Sequence, residues 1–132
     1  MFDHLTRVFA TTVLLALPSL AMAETTLLMA EEPGCVYCAQ WNAQIGPIYG
    51  KTGEGAAAPL RRVDITQALP NDIILARAIN FTPTFVLLVD GEEVSRLEGY
   101  PGEDFFWGLV GMMLERNDIP FEVKSASGSD DT

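Results

Sequence analysis

Apolar and polar positions alternate along this chain in a way that marks out short elements with clear breaks. Thr25 to Ala30 (Thr-Thr-Leu-Leu-Met-Ala) is short and apolar, and Glu31-Glu32-Pro33-Gly34 closes it. That pattern predicts a buried strand ending in a turn. From Cys35 to about Tyr49 the period changes, with Trp41, Ile45 and Ile48 spaced at four and three residues, which predicts a helix. Gly50 to Pro59, rich in Gly and Ala, reads as a loop. Leu60 to Ile65, with Val63 and Ile65 on one face, reads as a second strand. Asp72 to Ile79 reads as a short helix with Asn71 as its cap. Thr84 to Val89 (Thr-Phe-Val-Leu-Leu-Val) is the strongest strand signal. Asp90-Gly91 is a favoured two-residue hairpin turn, so Glu92 to Glu98 is expected to return antiparallel. In Gly102 to Arg116, Phe105, Phe106, Leu109, Val110 and Met113 form the apolar stripe of an amphipathic helix. The order β-α-β-α-β-β-α predicts an α/β fold with a mixed, mostly four-stranded sheet and helices on both faces.

The first residues do not fit this scheme. Arg7 is followed by an apolar run from Val8 to Leu20, and Ala21-Met22-Ala23 has a small-x-small exit. Together these read as a cleavable secretory signal peptide over residues 1–23. The apolar run is about 13 residues, short of the ~20 that span a bilayer. A domain is expected over residues 24–117. Residues 118–132 form a polar tail, with Ser, Gly and Asp from about Lys124 predicting disorder at its end.

Removal of residues 1–23 leaves 109 residues with 17 acidic and 7 basic side chains, a net charge of −10. This balance argues against nucleic acid and against anionic lipid surfaces, both of which select basic patches. Removal also takes His4, the sole histidine of the chain. Ser-His-Asp and Cys-His nucleophiles and histidine-based metal sites are thereby excluded from the mature segment.

Cys35 and Cys38 are the two cysteines, and export places them where disulfides persist. A bridge across two intervening residues closes too small a loop to be explained by stability. Cys35 follows a strand and a Pro-Gly break and opens a helix, where unpaired N–H groups and the helix dipole favour thiolate over thiol. That placement lowers a cysteine pKa from its ordinary ~8.5. Cys38, one turn on, lies against Cys35. The spacing suits an exchange in which Cys35 attacks a partner disulfide and Cys38 resolves the mixed disulfide. Other readings are half of a zinc site, a cluster shared between two chains, an inert pair, or a Cu(I)-binding dithiol module. A zinc site needs four ligands, and no further Cys or His is present in the mature segment.

With this motif on a strand-to-helix turn, the chain resembles the thioredoxin superfamily. Phe81-Thr82-Pro83-Thr84-Phe85 leads into the apolar strand as the family's cis-proline segment does, and Gly99 matches a family glycine. Gly34-Cys35-Val36-Tyr37-Cys38, Ile45-Gly46-Pro47-Ile48-Tyr49, Ala58 to Ile65 and Glu98 to Trp107 are similar to the small periplasmic thioredoxins of bacterial sulfur-oxidation (Sox) gene clusters, the SoxS type. The likeness covers roughly Thr25 to Arg116. It implies a thioredoxin fold and a periplasmic thiol–disulfide oxidoreductase without cofactor or metal. It further implies a redox-active Cys35–Cys38 disulfide and a cis Thr82–Pro83 bond. Thr82 and Pro83 would hold the partner backbone, with Tyr37 beside them.

The partner implied is a protein disulfide or thiol adduct, such as that of the Sox carrier protein. A membrane thiol-reducing electron carrier would be the donor, and the protein would act as a monomer. An oxidase or isomerase of the same fold is the alternative, since redox potential sets direction. The buried acid and partner lysine of cytosolic thioredoxin fall at Met29 and near Leu60, so the base for Cys38 is open. Glu31, on Met29's strand face, is either a substitute acting through water or a solvated loop acid. Trp41, Tyr100 and Phe106 are more readily core than docking surface.

Overall fold

In the computed structural model the described residues are 21–123. The segment expected to be a signal peptide (save its last three residues) and the end of the expected polar tail lie outside them. Four strands, β1 (Thr25–Glu31), β2 (Leu60–Asp64), β3 (Thr84–Val89) and β4 (Glu92–Glu98), form one sheet in the order β2-β1-β3-β4. β1 runs parallel to β2 and antiparallel to β3, and β3 is antiparallel to β4. Among the described residues the helices are α1 (Val36–Gln44), α2 (Gly46–Tyr49), α3 (Gly53–Ala57) and α4 (Glu103–Arg116).

The central strands are buried on both faces, which is why they read as unbroken apolar runs. Leu27, Met29, Phe85 and Leu87 point to one face and join Trp41, Ile45, Tyr49, Phe106, Val110 and Leu114. Leu28, Ala30, Val86 and Leu88 point to the other. This division follows from the two-residue period of a strand. Phe106 is the hub of the first cluster, with ring centroids 5.0 Å from Phe85, 5.3 Å from Trp107 and 5.7 Å from Trp41.

The structure departs from the sequence expectations in four places. The single helix expected over Cys35–Tyr49 is two, because Pro47 in the first turn of α2 has no N–H for the α1 ladder. Ile45 serves as the end of α1 and the start of α2, its N–H bonding Trp41 O at 2.8 Å. The expected loop 50–59 contains α3, capped by Thr52, whose hydroxyl accepts the Gly55 N–H at 3.0 Å. Gly55 is required there, since a Cβ would sit 1.9 Å from Tyr49 O.

The third departure is the helix expected over Asp72–Ile79, which does not form. Ile74 instead makes a parallel bridge with Glu92, and Ile73 and Leu75 turn inward against Leu28, Val63 and Val86 while Ile74 stays exposed. Alternation, not a 3.6 period, governs these residues. The observed order is therefore β1-α1-α2-α3-β2-β3-β4-α4, with α1 and α4 on one face and the irregular segment 65–81 on the other. Fourth, Phe105 is 70% exposed, and the buried stripe of α4 runs instead through Phe106, Val110, Met113 and Leu114. At Asp90-Gly91 both φ values are positive (51° and 81°), as a type I′ hairpin demands.

Candidate functional site

Strand register gathers the site. β1 and β2 end together, with Glu31 opposite Asp64, and β3 begins beside them, with Thr84 opposite Ala30. The loops that follow β1 and precede β3 therefore emerge at the same end of the sheet. The first carries Cys35 and Cys38, and the second carries Thr82 and Pro83.

After β1 the chain turns through Glu32-Pro33-Gly34-Cys35, closed by the Cys35 N–H on Glu32 O at 3.3 Å. Gly34 has φ 80°, a conformation that glycine takes without strain. Cys35 is the N-cap of α1, and its Sγ accepts the Cys38 N–H at 3.1 Å. This N–H belongs to the first turn, where backbone donors have no partner in the helix. The same donor and the helix dipole stabilise negative charge on that sulfur once the bridge opens. Cys35 and Cys38 form a disulfide with Cα atoms 5.2 Å apart. Cys35 is half-buried, whereas Cys38 is 4% exposed.

An open cleft beside the disulfide is lined by Glu31, Glu32, Cys35, Cys38, Asn42 and Asp64 among others. Its three carboxylates have different partners. Glu31 Oε2 accepts from Arg62 at 2.8 Å, and the Arg62 guanidinium lies 5.5 Å from the Trp41 ring centroid. The Thr66 hydroxyl and N–H donate to Asp64 Oδ1 at 2.6 and 2.8 Å, and hold its carboxyl below the usual range. Glu32 Oε1 accepts the Thr82 hydroxyl at 2.8 Å. Among the described residues no group of three or more His, Cys, Asp or Glu is arranged to hold a metal ion.

The Thr82–Pro83 bond is cis. Its loop is braced by Gly99 N–H on Pro83 O and by the Thr84 hydroxyl on Phe81 O, both at 2.7 Å. Thr82 is half-buried and Pro83 buried. Tyr37 is 59% exposed between the two cysteines, with Val36 beside it at 74% and Phe81 on the second loop at 62%. Trp41, Tyr100 and Phe106 lie in the core. Glu32 and Asp64 were not singled out in the sequence. Glu32 reads there only as part of a turn, and no local spacing connects it to a threonine 50 residues away.

A mixed four-stranded sheet, with a cysteine pair at the head of the first helix and a cis-proline loop at the same sheet end, defines a thioredoxin-type thiol–disulfide oxidoreductase. Neither a scan of protein-family models nor a search of curated proteins finds a match. Among solved structures, the reduced form of the periplasmic thioredoxin SoxS from Paracoccus pantotrophus is 51% identical. The match covers 71% of this chain and 99% of that one, with a TM-score of 0.70. The chain belongs to the SoxS family of thioredoxins.

Proposed function

We propose that this protein is a periplasmic reductase of protein disulfides or thiol adducts, exported by residues 1–23 and acting through a domain of residues 24–117. The observation that carries the reading is the unequal setting of the two sulfurs. Cys35 Sγ is reachable and accepts a first-turn N–H, while Cys38 is 4% exposed behind it. An anion-stabilising seat makes Cys35 the nucleophile, and burial reserves Cys38 for the second step.

In the first step the Cys35 thiolate attacks one sulfur of the partner disulfide. A Cys35–partner disulfide forms, and the partner's other sulfur leaves as a thiolate and takes a proton. Cys38 then loses its proton and attacks Cys35 Sγ. The Cys35–Cys38 bond closes and the second partner sulfur departs. Two electrons and two protons pass to the partner. Thr82 offers its backbone to the incoming chain as a strand edge does, and Tyr37 packs beside it. The periplasmic location of its SoxS relative supports a periplasmic site of action. A membrane thiol-reducing carrier would return the protein to the dithiol state, and the Sox carrier protein is the partner this reading favours. The protein is taken to act as a monomer.

Changing Cys38→Ser and challenging the reduced protein with periplasmic extract is expected to accumulate a dithiothreitol-sensitive adduct through Cys35, identifiable by mass spectrometry. Absence of any adduct refutes the mechanism. Direction is read from the potential against glutathione: a value near −270 mV marks a reductase, one near −120 mV an oxidant.

A further inference from the structure

Glu32 is anchored at both ends. Its carbonyl accepts the Cys35 N–H at 3.3 Å, and its carboxylate accepts the Thr82 hydroxyl at 2.8 Å. The other two cleft carboxylates are engaged elsewhere, Glu31 with Arg62 and Asp64 with Thr66. Among the described residues, Glu32 is thus the cleft carboxylate that reaches from the cysteine loop to the proline loop.

The position of this bond is suited to exchange. A partner chain has to meet two things at once, a sulfur at Cys35 and a backbone edge at Thr82. In-line attack tolerates little error in their separation, since misplacement of reacting atoms by about 1 Å costs on the order of 100-fold. The Thr82 loop is fixed from behind by Gly99 and Thr84, and Glu32 fixes it from the cysteine side. The bond is also charge-assisted, which makes it stronger than a contact between neutral groups.

We propose that Glu32 is a positioning residue of the exchange site, holding Thr82 at a fixed distance from Cys35 so that a protein backbone engages both together. The proposal rests on the exchange reading given above. It concerns extended protein partners, since a disulfide with no peptide backbone has nothing to pair with the Thr82 edge.

The test compares reduction of the insulin disulfides with reduction of bis(2-hydroxyethyl) disulfide, using the reduced full-length mature protein. Glu32→Ala is expected to lower the ratio of kcat/KM for insulin to that for bis(2-hydroxyethyl) disulfide about three- to tenfold, mainly through the KM for insulin. Glu32→Gln, which keeps an acceptor oxygen, and Thr82→Ser, which keeps the hydroxyl, are expected to retain more than half of the ratio. Thr82→Val is expected to match Glu32→Ala, and the double variant to be no worse than either, as two ends of one bond require. Independent, multiplying losses in the double variant overturn the proposal, and so does a ratio unchanged in Glu32→Ala. Glu32→Gln as impaired as Glu32→Ala also overturns it, because charge and not the bond is then at work. Failure of the unaltered protein to reduce insulin instead strikes the exchange reading itself.

Discussion

Replacing Arg96 by Met tests what holds the segment that takes the place of a helix. The Arg96 guanidinium donates to Glu93 Oε1 and Oε2 at 2.6 and 2.7 Å, and to Arg77 O and Ala78 O at 2.9 and 3.1 Å. Glu93 Oε2 also accepts the Ala76 N–H at 2.8 Å. The Arg96 and Glu93 side chains are 5% and 6% exposed. One buried ion pair therefore ties residues 76–78 to β4. Arg96→Met keeps an unbranched apolar stem, removes the guanidinium and strands the Glu93 carboxylate with a single N–H. Breaking a buried pair from one side costs about 3–5 kcal/mol. For a domain of about 100 residues this is a fall of ~15–25 °C in Tm.

Thermal unfolding followed by circular dichroism measures the fall directly. The companion variant Glu93→Leu/Arg96→Met removes both charges. It is expected to recover most of the loss, to within about 2 kcal/mol of the unaltered protein, because apolar replacement of a whole buried pair is close to neutral. A fall below about 4 °C in Arg96→Met, the size expected for an exposed pair, refutes the reasoning. So does a double variant less stable than the single one.

Acid should act on the same pair. Burial pushes the Glu93 carboxyl up, but the Arg96 hydrogen bond and the Ala76 N–H outweigh it and leave the folded value below the ordinary one. The stability this adds is present above the ordinary glutamate range and is lost as pH falls through the lowered folded value. Urea midpoints measured from neutral pH into acid should therefore drop less steeply in Glu93→Leu/Arg96→Met than in the unaltered protein. Phe106→Ala empties the hub of an aromatic cluster and is expected to cost about 3–5 kcal/mol in urea unfolding. Gly55→Ala drives a Cβ to 1.9 Å from Tyr49 O and should lower Tm. Gly108→Ala, exposed within α4 with nothing within 4 Å of its Cβ, should add up to ~1 kcal/mol.

The strands and the cysteine motif were legible because their signals are local. Thr25–Ala30 and Thr84–Val89 are buried on both faces and announce it in composition, and the Asp90-Gly91 pair specifies its turn by φ alone. Segment 72–79 (Asp-Ile-Ile-Leu-Ala-Arg-Ala-Ile) misled because a short apolar run behind a capping Asn71 suits a helix as readily as an extended chain. Its backbone groups are satisfied from outside, by Gly91 O, by Glu93 and by Arg96, and no property of the segment itself reports them. Phe105 misled because α4 is rotated so that Phe106, Val110, Met113 and Leu114 face the core and Phe105 falls outside that face. Trp41, Tyr100 and Phe106 fell in the core as helical spacing suggested, which leaves Tyr37 as the exposed aromatic between the cysteines.

What the sequence withheld about the site is register. Cys35 and Thr82 stand 47 positions apart, and neither neighbourhood mentions the other. Their loops emerge at one end of the sheet because β1 pairs with β2 on one side and β3 on the other. Its parallel pairing sets Glu31 against Asp64, and its antiparallel pairing sets Ala30 against Thr84. A slip of one residue in either ladder would turn the buried apolar set to the opposite face, so the core that fixes stability also fixes the distance between the loops. Side chains at the loop tips then have only short gaps to close. Thr82 closes one on Glu32, which is bonded through its own carbonyl to Cys35. The chemistry at the cysteines is thereby tied to packing some residues below it, and a mutation that shifts β3 against β1 should impair exchange before it unfolds the protein.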